Sequence, residues 1–331
     1  SRASPLQQAI DKAPSGAVIA LGPGFYEGNI AISKPLTLRA SGKGVVIHGD
    51  GTGSVITVTA SYVTVDGLTI ENSGPKHQTV DAGITVRGAD NVKILRNRIR
   101  DCLFGINFEQ TNRSVIEDND ITSLPVSLGL KGDGIRLWYS SANKIYENSG
   151  ADSRYSLHFM YADRNEILSN DYRRNSVGIF LMFSQGSTLK RNFVADSTGP
   201  FGIGIGMKES SDILVEENQI LYNARGFYLD SSPYQPGTFN TFRGNEINFN
   251  TTAFLLHGTL LPSLFESNVF KGNIEDVAND TPESKLEINT WRSNYWDNYE
   301  GFDRNDDGYG DIPHEQWMYA DRIWSYLPAA K

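Results

Sequence analysis

One phrase recurs through most of the chain: an asparagine, one residue of any kind, then in most copies Ile, Val or Phe. It appears in RNRIR, DNDIT, RNFVA, ENQIL, GNEIN and SNVFK, and more loosely in ENSGA and SNDYR. The asparagines are Asn97, Asn119, Asn148, Asn170, Asn192, Asn218, Asn245 and Asn268, separated by 22, 29, 22, 22, 26, 27 and 23 residues. The base period is 22. The excess falls in stretches rich in Gly, Pro and Ser, such as those around Pro200 and Pro233, which read as loops. A fixed period of this size marks a stack of similar units rather than one globular core.

A second phrase keeps step with the first. An apolar residue, any residue and a second apolar residue begin at Ile84, Ile106, Ile135, Leu157, Ile179, Ile205, Phe227 and Phe254, mostly after glycine. Such alternation is that of short strands, and helical periodicity is nearly absent after residue 16. Three short strands per repeat with an asparagine at the same turn predict an all-β, parallel β-helix with coils of about 22 residues. Stacked asparagines can hydrogen-bond from coil to coil, as in other in-register β stacks. Residues 1–15 are expected to form an N-terminal capping helix, with Ser4 as N-cap, Pro5 in the first turn, and Leu6, Ala9 and Ile10 on one face. The β-helix should run over 16–288. A Trp- and Asp-rich capping tail is expected over 289–331.

Composition narrows the function. Acidic residues outnumber Lys and Arg by 39 to 30, for a net charge of −9, so a nucleic-acid role is not expected. No run of 18 apolar residues is present to span a membrane. The first residues lack a charged and then apolar leader, so either there never was one or this is a processed form. The single cysteine, Cys102, excludes an internal disulfide and a Cys-based zinc site. Its apolar setting suits a small buried hydrophobe, the reactive or ligand thiol being the alternative.

Placing the coils in register on the second phrase gives two outward columns. One reads Asn107, Arg136, His158, Phe180, Gly206, Tyr228, Leu255; the other reads Glu109, Trp138, Met160, Met182, Lys208, Asp230, His257. Coils lie about 4.8 Å apart and same-face neighbours on a strand about 6.7 Å apart, so His158, Met160 and Met182 are within side-chain reach. Thioether and imidazole are soft enough to suit Cu(I) and poorly suited to Mg²⁺ or Ca²⁺. A methionine-rich docking face is the competing reading. Met207 should face the core, and His257 lies three coils beyond Met182; both are secondary candidate ligands. Tyr139, Tyr161 and Phe183 form an adjacent aromatic column, either a stabilising ladder or a docking surface.

The tail places Asp303, Asn305, Asp307 and Asp311 at calcium-loop spacing with Gly308 at the sixth position. His314 stands where the twelfth-position Glu would be, so the loop is either a partial Ca²⁺ site or an Asp-rich turn. A polysaccharide lyase or hydrolase is the rival on this fold, and an extracellular scaffold or adhesin is the further alternative. The enzyme reading is the one with a geometric requirement. It needs two carboxyl groups about 5–9 Å apart, whereas Glu109 and Asp230 share a column several coils apart.

The cap followed by PGFYEGNIAISKPLTL, the repeats GDGIRLWYS, SRYSLHFMY and VGIFLMFS, and the tail NYWDNYEGFDRNDDGYGDIP together resemble the NosD family over nearly the whole chain. The resemblance implies a periplasmic right-handed β-helix protein, its signal peptide removed. It also implies work with an ABC-type ATPase and a membrane permease, a copper donor lipoprotein and nitrous oxide reductase, to which copper is supplied. On that footing His158, Met160 and Met182 are the expected Cu(I) ligands, and no catalytic residue is expected. ATP hydrolysis would lie in another subunit, since the chain has no G-x-x-x-x-G-K-[ST] motif.

Overall fold

The computed structural model describes residues 2–281 and 286–316. It is a right-handed parallel β-helix of about twelve turns with one short α-helix at its start. Three parallel sheets of 12, 12 and 11 strands run the length of the described residues. The first sheet extends from Ala17–Leu21 to Thr290–Arg292, the second from Gly24–Glu27 to Tyr295–Trp296, and the third from Ile30–Ile32 to Glu275–Asn279. Every strand inside a sheet pairs with its equivalents in the coils before and after it, and the strands at the two ends pair on one side.

The asparagine phrase marks the corner between the first and second sheets. Asn119 Nδ2 donates to Asn148 Oδ1 (3.0 Å) and to the Ile94 carbonyl (3.0 Å), while its backbone N–H donates to Asn148 Oδ1 (3.0 Å). The same pattern repeats from Asn97 through Asn268 to Asn294. The amides from Asn97 to Asn268 are buried and use both their donor and their acceptor sides, which removes the penalty for burying a polar group. Two further ladders stand at the other corners. Asn223, Asn250 and Asn273 link the second sheet to the third, and Ser114, Asn143 and Asn165 link the third to the first.

Inside the coils, Ile, Leu, Val and Phe stack on their own kind. Phe242 lies on Phe265 (4.9 Å between ring centres) and Phe227 on Phe254 (4.5 Å). The helix, α1 (Pro5–Lys12), closes one end, with Leu6 and Ile10 buried and Ser4 Oγ accepting from the Gln7 N–H. Gln7 Oε1 accepts from the Ala31 N–H (2.7 Å), satisfying one donor on the otherwise open edge of the third sheet. At the opposite end Trp291 stacks on Phe265 and Trp296 on Phe270, continuing the inner aromatic stack.

The third sheet has one feature that positions the site. In most of its strands, two successive residues turn inward where alternation would allow one. The residue before each first apolar position is Gly or another small residue because its side chain would enter the core. A Cβ on Gly178 would lie 2.3 Å from Val194 Cγ1, and one on Gly105 would lie 2.5 Å from Ile121 Cγ2. Ser156 occupies this position beside Gly150, where a Cβ would meet Ser156 Oγ at 2.1 Å.

Candidate metal centre

The third sheet aligns Trp138 with Met160 and Met160 with Met182, and aligns Arg136 with His158 and His158 with Phe180. These are the neighbours that the repeat predicts. Leu157 and Phe159 are fully buried, so His158 and Met160 project from the other face. His158 is nevertheless only 9% exposed. Tyr155 stacks on its ring at 4.4 Å, and Phe180 lies edge-on at 6.3 Å. Met160 and Met182 are half-buried.

Both imidazole nitrogens are engaged. His158 Nδ1 lies 3.0 Å from Asp133 Oδ2, and Nε2 lies 3.1 Å from Met182 Sδ. A carboxylate only accepts, so Nδ1 carries the hydrogen in this pair. In a neutral imidazole Nε2 is then a bare lone pair facing a sulfur that also offers only lone pairs. Two such atoms this close call for something positive between them, a proton or a soft cation. The buried Asp133 carboxylate is the usual orienting partner of a metal-ligating histidine, fixing tautomer and ring angle.

The surroundings are held firmly. Arg136 donates to Asn107 Oδ1 (2.8 Å) and sits 3.7 Å from Glu109, which also pairs with Arg87 at 2.8 Å. Burial pushes the Arg136 pKa down, and the charges of Asp133 and Glu109 partly offset this. Arg87, Asn107 and Arg136 hold the Glu109 carboxyl below its ordinary range, against the opposing effect of its burial. Tyr139, Tyr161 and Phe183 stack at 4.8 and 4.9 Å along the neighbouring corner, with Trp138 edge-on to Tyr139 at 4.7 Å.

The other candidates lie elsewhere. Met207 aligns with Leu181 and Leu229 and has no exposure, so its sulfur belongs to the core as its parity requires. His257 is half-exposed, 2.8 Å from Asp280 and stacked beside Tyr228. Cys102 is fully buried, and burial pushes its thiol up to about 12. Its side chain packs within the hydrophobic core. In the tail, Asp303 accepts from the N–H groups of Asp307 and Gly308, Asp307 from that of Tyr309, and Asp311 from that of Arg304. These are the bonds of a self-closing Asx turn. Among the described residues no three His, Cys, Asp or Glu side chains converge as a metal-binding group. Met318 lies outside the described residues.

Two residues of this cluster, Asp133 and Tyr155, escape a reading by strict alternation. They occupy the same place in successive coils, two before Ile135 and Leu157. The inward turn of the next residue, Gly134 or Ser156, reverses the parity and sends both side chains outward toward His158.

Comparison with known proteins places the chain in a family. The family described as periplasmic copper-binding protein (NosD) matches residues 126–301, which include the whole cluster. The chain belongs to the NosD family. A right-handed β-helix region matches residues 38–150. Among NosD relatives, a probable ABC transporter binding protein of Stutzerimonas stutzeri is 28% identical over 360 residues, covering 92% of this chain and 77% of that protein. Its namesake in Pseudomonas aeruginosa is 26% identical over 379 residues, covering 98% and 83%. A solved structure, the A-module of a mannuronan C-5 epimerase from Azotobacter vinelandii, shares the fold with a TM-score of 0.64 at 17% identity, over 87% of this chain and 93% of that one. That likeness concerns fold alone, and the fold hosts many chemistries. The NosD family is periplasmic and copper-binding. No helix among the described residues is long and apolar enough to cross a membrane.

Proposed function

We propose that this chain is a non-catalytic copper carrier of the periplasm. In this reading it takes Cu(I) from a donor lipoprotein, holds it between His158, Met160 and Met182, and passes it to nitrous oxide reductase during maturation. An ABC-type ATPase and its permease supply the energy by altering the exposure of this face. The observation that carries the reading is the approach of His158 Nε2 to Met182 Sδ, with Asp133 holding the far nitrogen. Taking metal–nitrogen and metal–sulfur bonds near the roughly 2.0 and 2.3 Å of zinc sites, two atoms so spaced share one ion at about a right angle. Met160, one coil below Met182, supplies a third soft ligand.

Family membership and the names of the relatives support copper and an ABC transporter partner. The carboxylates nearest the site argue against sugar chemistry there. Asp133 is committed to His158 and Glu109 to two arginines. The test is a Cu(I) competition titration of the wild-type chain against Met160→Ala/Met182→Ala. The double variant is expected to lose more than the roughly 10–100-fold typical of an outer-shell substitution. Equal affinities would sink the ligand assignment.

A further inference from the structure

Toward the N-terminal end of the same sheet lies a second concavity, separate from the metal cluster. It is a cleft of about 380 Å³ between residues 51–54 and 75–81, within the size range of small-ligand sites. Its floor is formed by Thr57 and Thr85, which are paired in register on the third sheet. Its walls need glycine. A Cβ on Gly74 would lie 2.1 Å from Asp81 Oδ2 and 2.6 Å from the Gly53 nitrogen.

The polar groups of the cleft are strongly biased toward donors. Asp81, its single carboxylate, is already occupied by the Lys76 N–H (3.1 Å) and the Thr79 hydroxyl (2.6 Å). Ser54 Oγ accepts from the Ala82 N–H (3.1 Å) and shares a hydrogen bond with Thr85 Oγ1 (2.8 Å) in which either hydroxyl can donate. The Lys76 ammonium has no ion-pair partner among the described residues, and Thr57 Oγ1 has no hydrogen-bond partner there. Arg87 uses Nε on Glu109, which leaves its outer guanidinium edge for a further partner. Two cations and the Thr57 and Thr85 hydroxyls therefore border one small cleft, beside an Asp81 carboxylate whose two oxygens already accept hydrogen bonds.

We infer that this cleft binds a carboxylate that carries neighbouring hydroxyls, as in a sugar acid. Lys76 and Arg87 take the carboxylate through charge-assisted hydrogen bonds, and Thr57 and Thr85 take the hydroxyls. The ligand is either a free sugar acid or one unit of an acidic polysaccharide, since both present the same chemistry. The inference does not depend on copper binding.

Calorimetric titration of the full chain with glucuronate, oligomannuronate, glucose and inorganic phosphate tests it. Saturable binding of glucuronate or oligomannuronate is expected, with glucose and phosphate at least about tenfold weaker. Tighter binding of the oligomer than of the monomer identifies a polymer ligand; equal binding per site identifies the free acid. Lys76→Gln/Arg87→Gln should weaken binding by about tenfold or more, the loss expected for a charge-assisted bond, and Lys76→Gln alone should weaken it with the thermal transition and Cu(I) affinity retained. Thr57→Val, which keeps side-chain volume, should weaken binding without abolishing it. Absence of saturable binding by either acid would overturn the inference. So would equal affinity for glucose or phosphate, or indifference to the double charge substitution.

Discussion

The buried asparagine ladder and the outward His–Met patch are built by the same stacking rule, yet they end in opposite chemical states. In the ladder, every side chain offers a donor and an acceptor, so each coil satisfies the one before it. In the patch, stacking brings together groups that mainly accept. His158 Nε2 and Met182 Sδ face each other, while Asp133 takes the one hydrogen available to neutral imidazole. A repeat thus closes on itself where the repeated residue is both donor and acceptor. It leaves room for a cation where the stacked residues only donate electron pairs.

Substitutions should separate the two regions. The largest effect is expected from Asn170→Ala, which strips partners from the Asn148 amide groups and from the Ile145 carbonyl. Buried groups left without partners cost about 1–3 kcal/mol each. Denaturant unfolding should therefore show a loss of about 3 kcal/mol or more. A loss below about 1 kcal/mol would mean that water or a neighbour replaces the ladder.

Asp133→Asn should act on the patch instead. Copper affinity should fall by about 10–100-fold, the usual effect of an outer-shell partner, and a competition titration reads this directly. Unchanged affinity would show that His158 is oriented by its aromatic neighbours alone. The smallest effect is expected from Tyr161→Ala, which interrupts the stack of Tyr139, Tyr161 and Phe183. About 0.5–1.5 kcal/mol of stability should be lost beyond the area term, with copper affinity retained. A large fall in affinity would instead make the aromatic column part of the site.

Much of this was legible before the fold was known. The spacing of Asn97 through Asn268 implied a stack, and the paired phrase put Met160 beside Met182 in the register observed. Alternation also sent Met207 inward. Asp133 and Tyr155 were harder to place. Their outward direction depends on two successive inward residues at 134–135 and 156–157, and period-two counting turns both to the wrong side. The preference for Gly before the first apolar residue was the visible trace of that bend, since a larger side chain would strike the core. The two extra ladders were hidden because Ser alternates with Asn in them, breaking a search for one repeated letter.

X-ray absorption at the copper edge of the Cu(I)-loaded chain tests the central claim most directly. The account predicts a first shell of sulfur with one imidazole nitrogen, and loss of sulfur scattering in Met160→Ala/Met182→Ala. A shell of nitrogen and oxygen alone, unchanged in that variant, would contradict it.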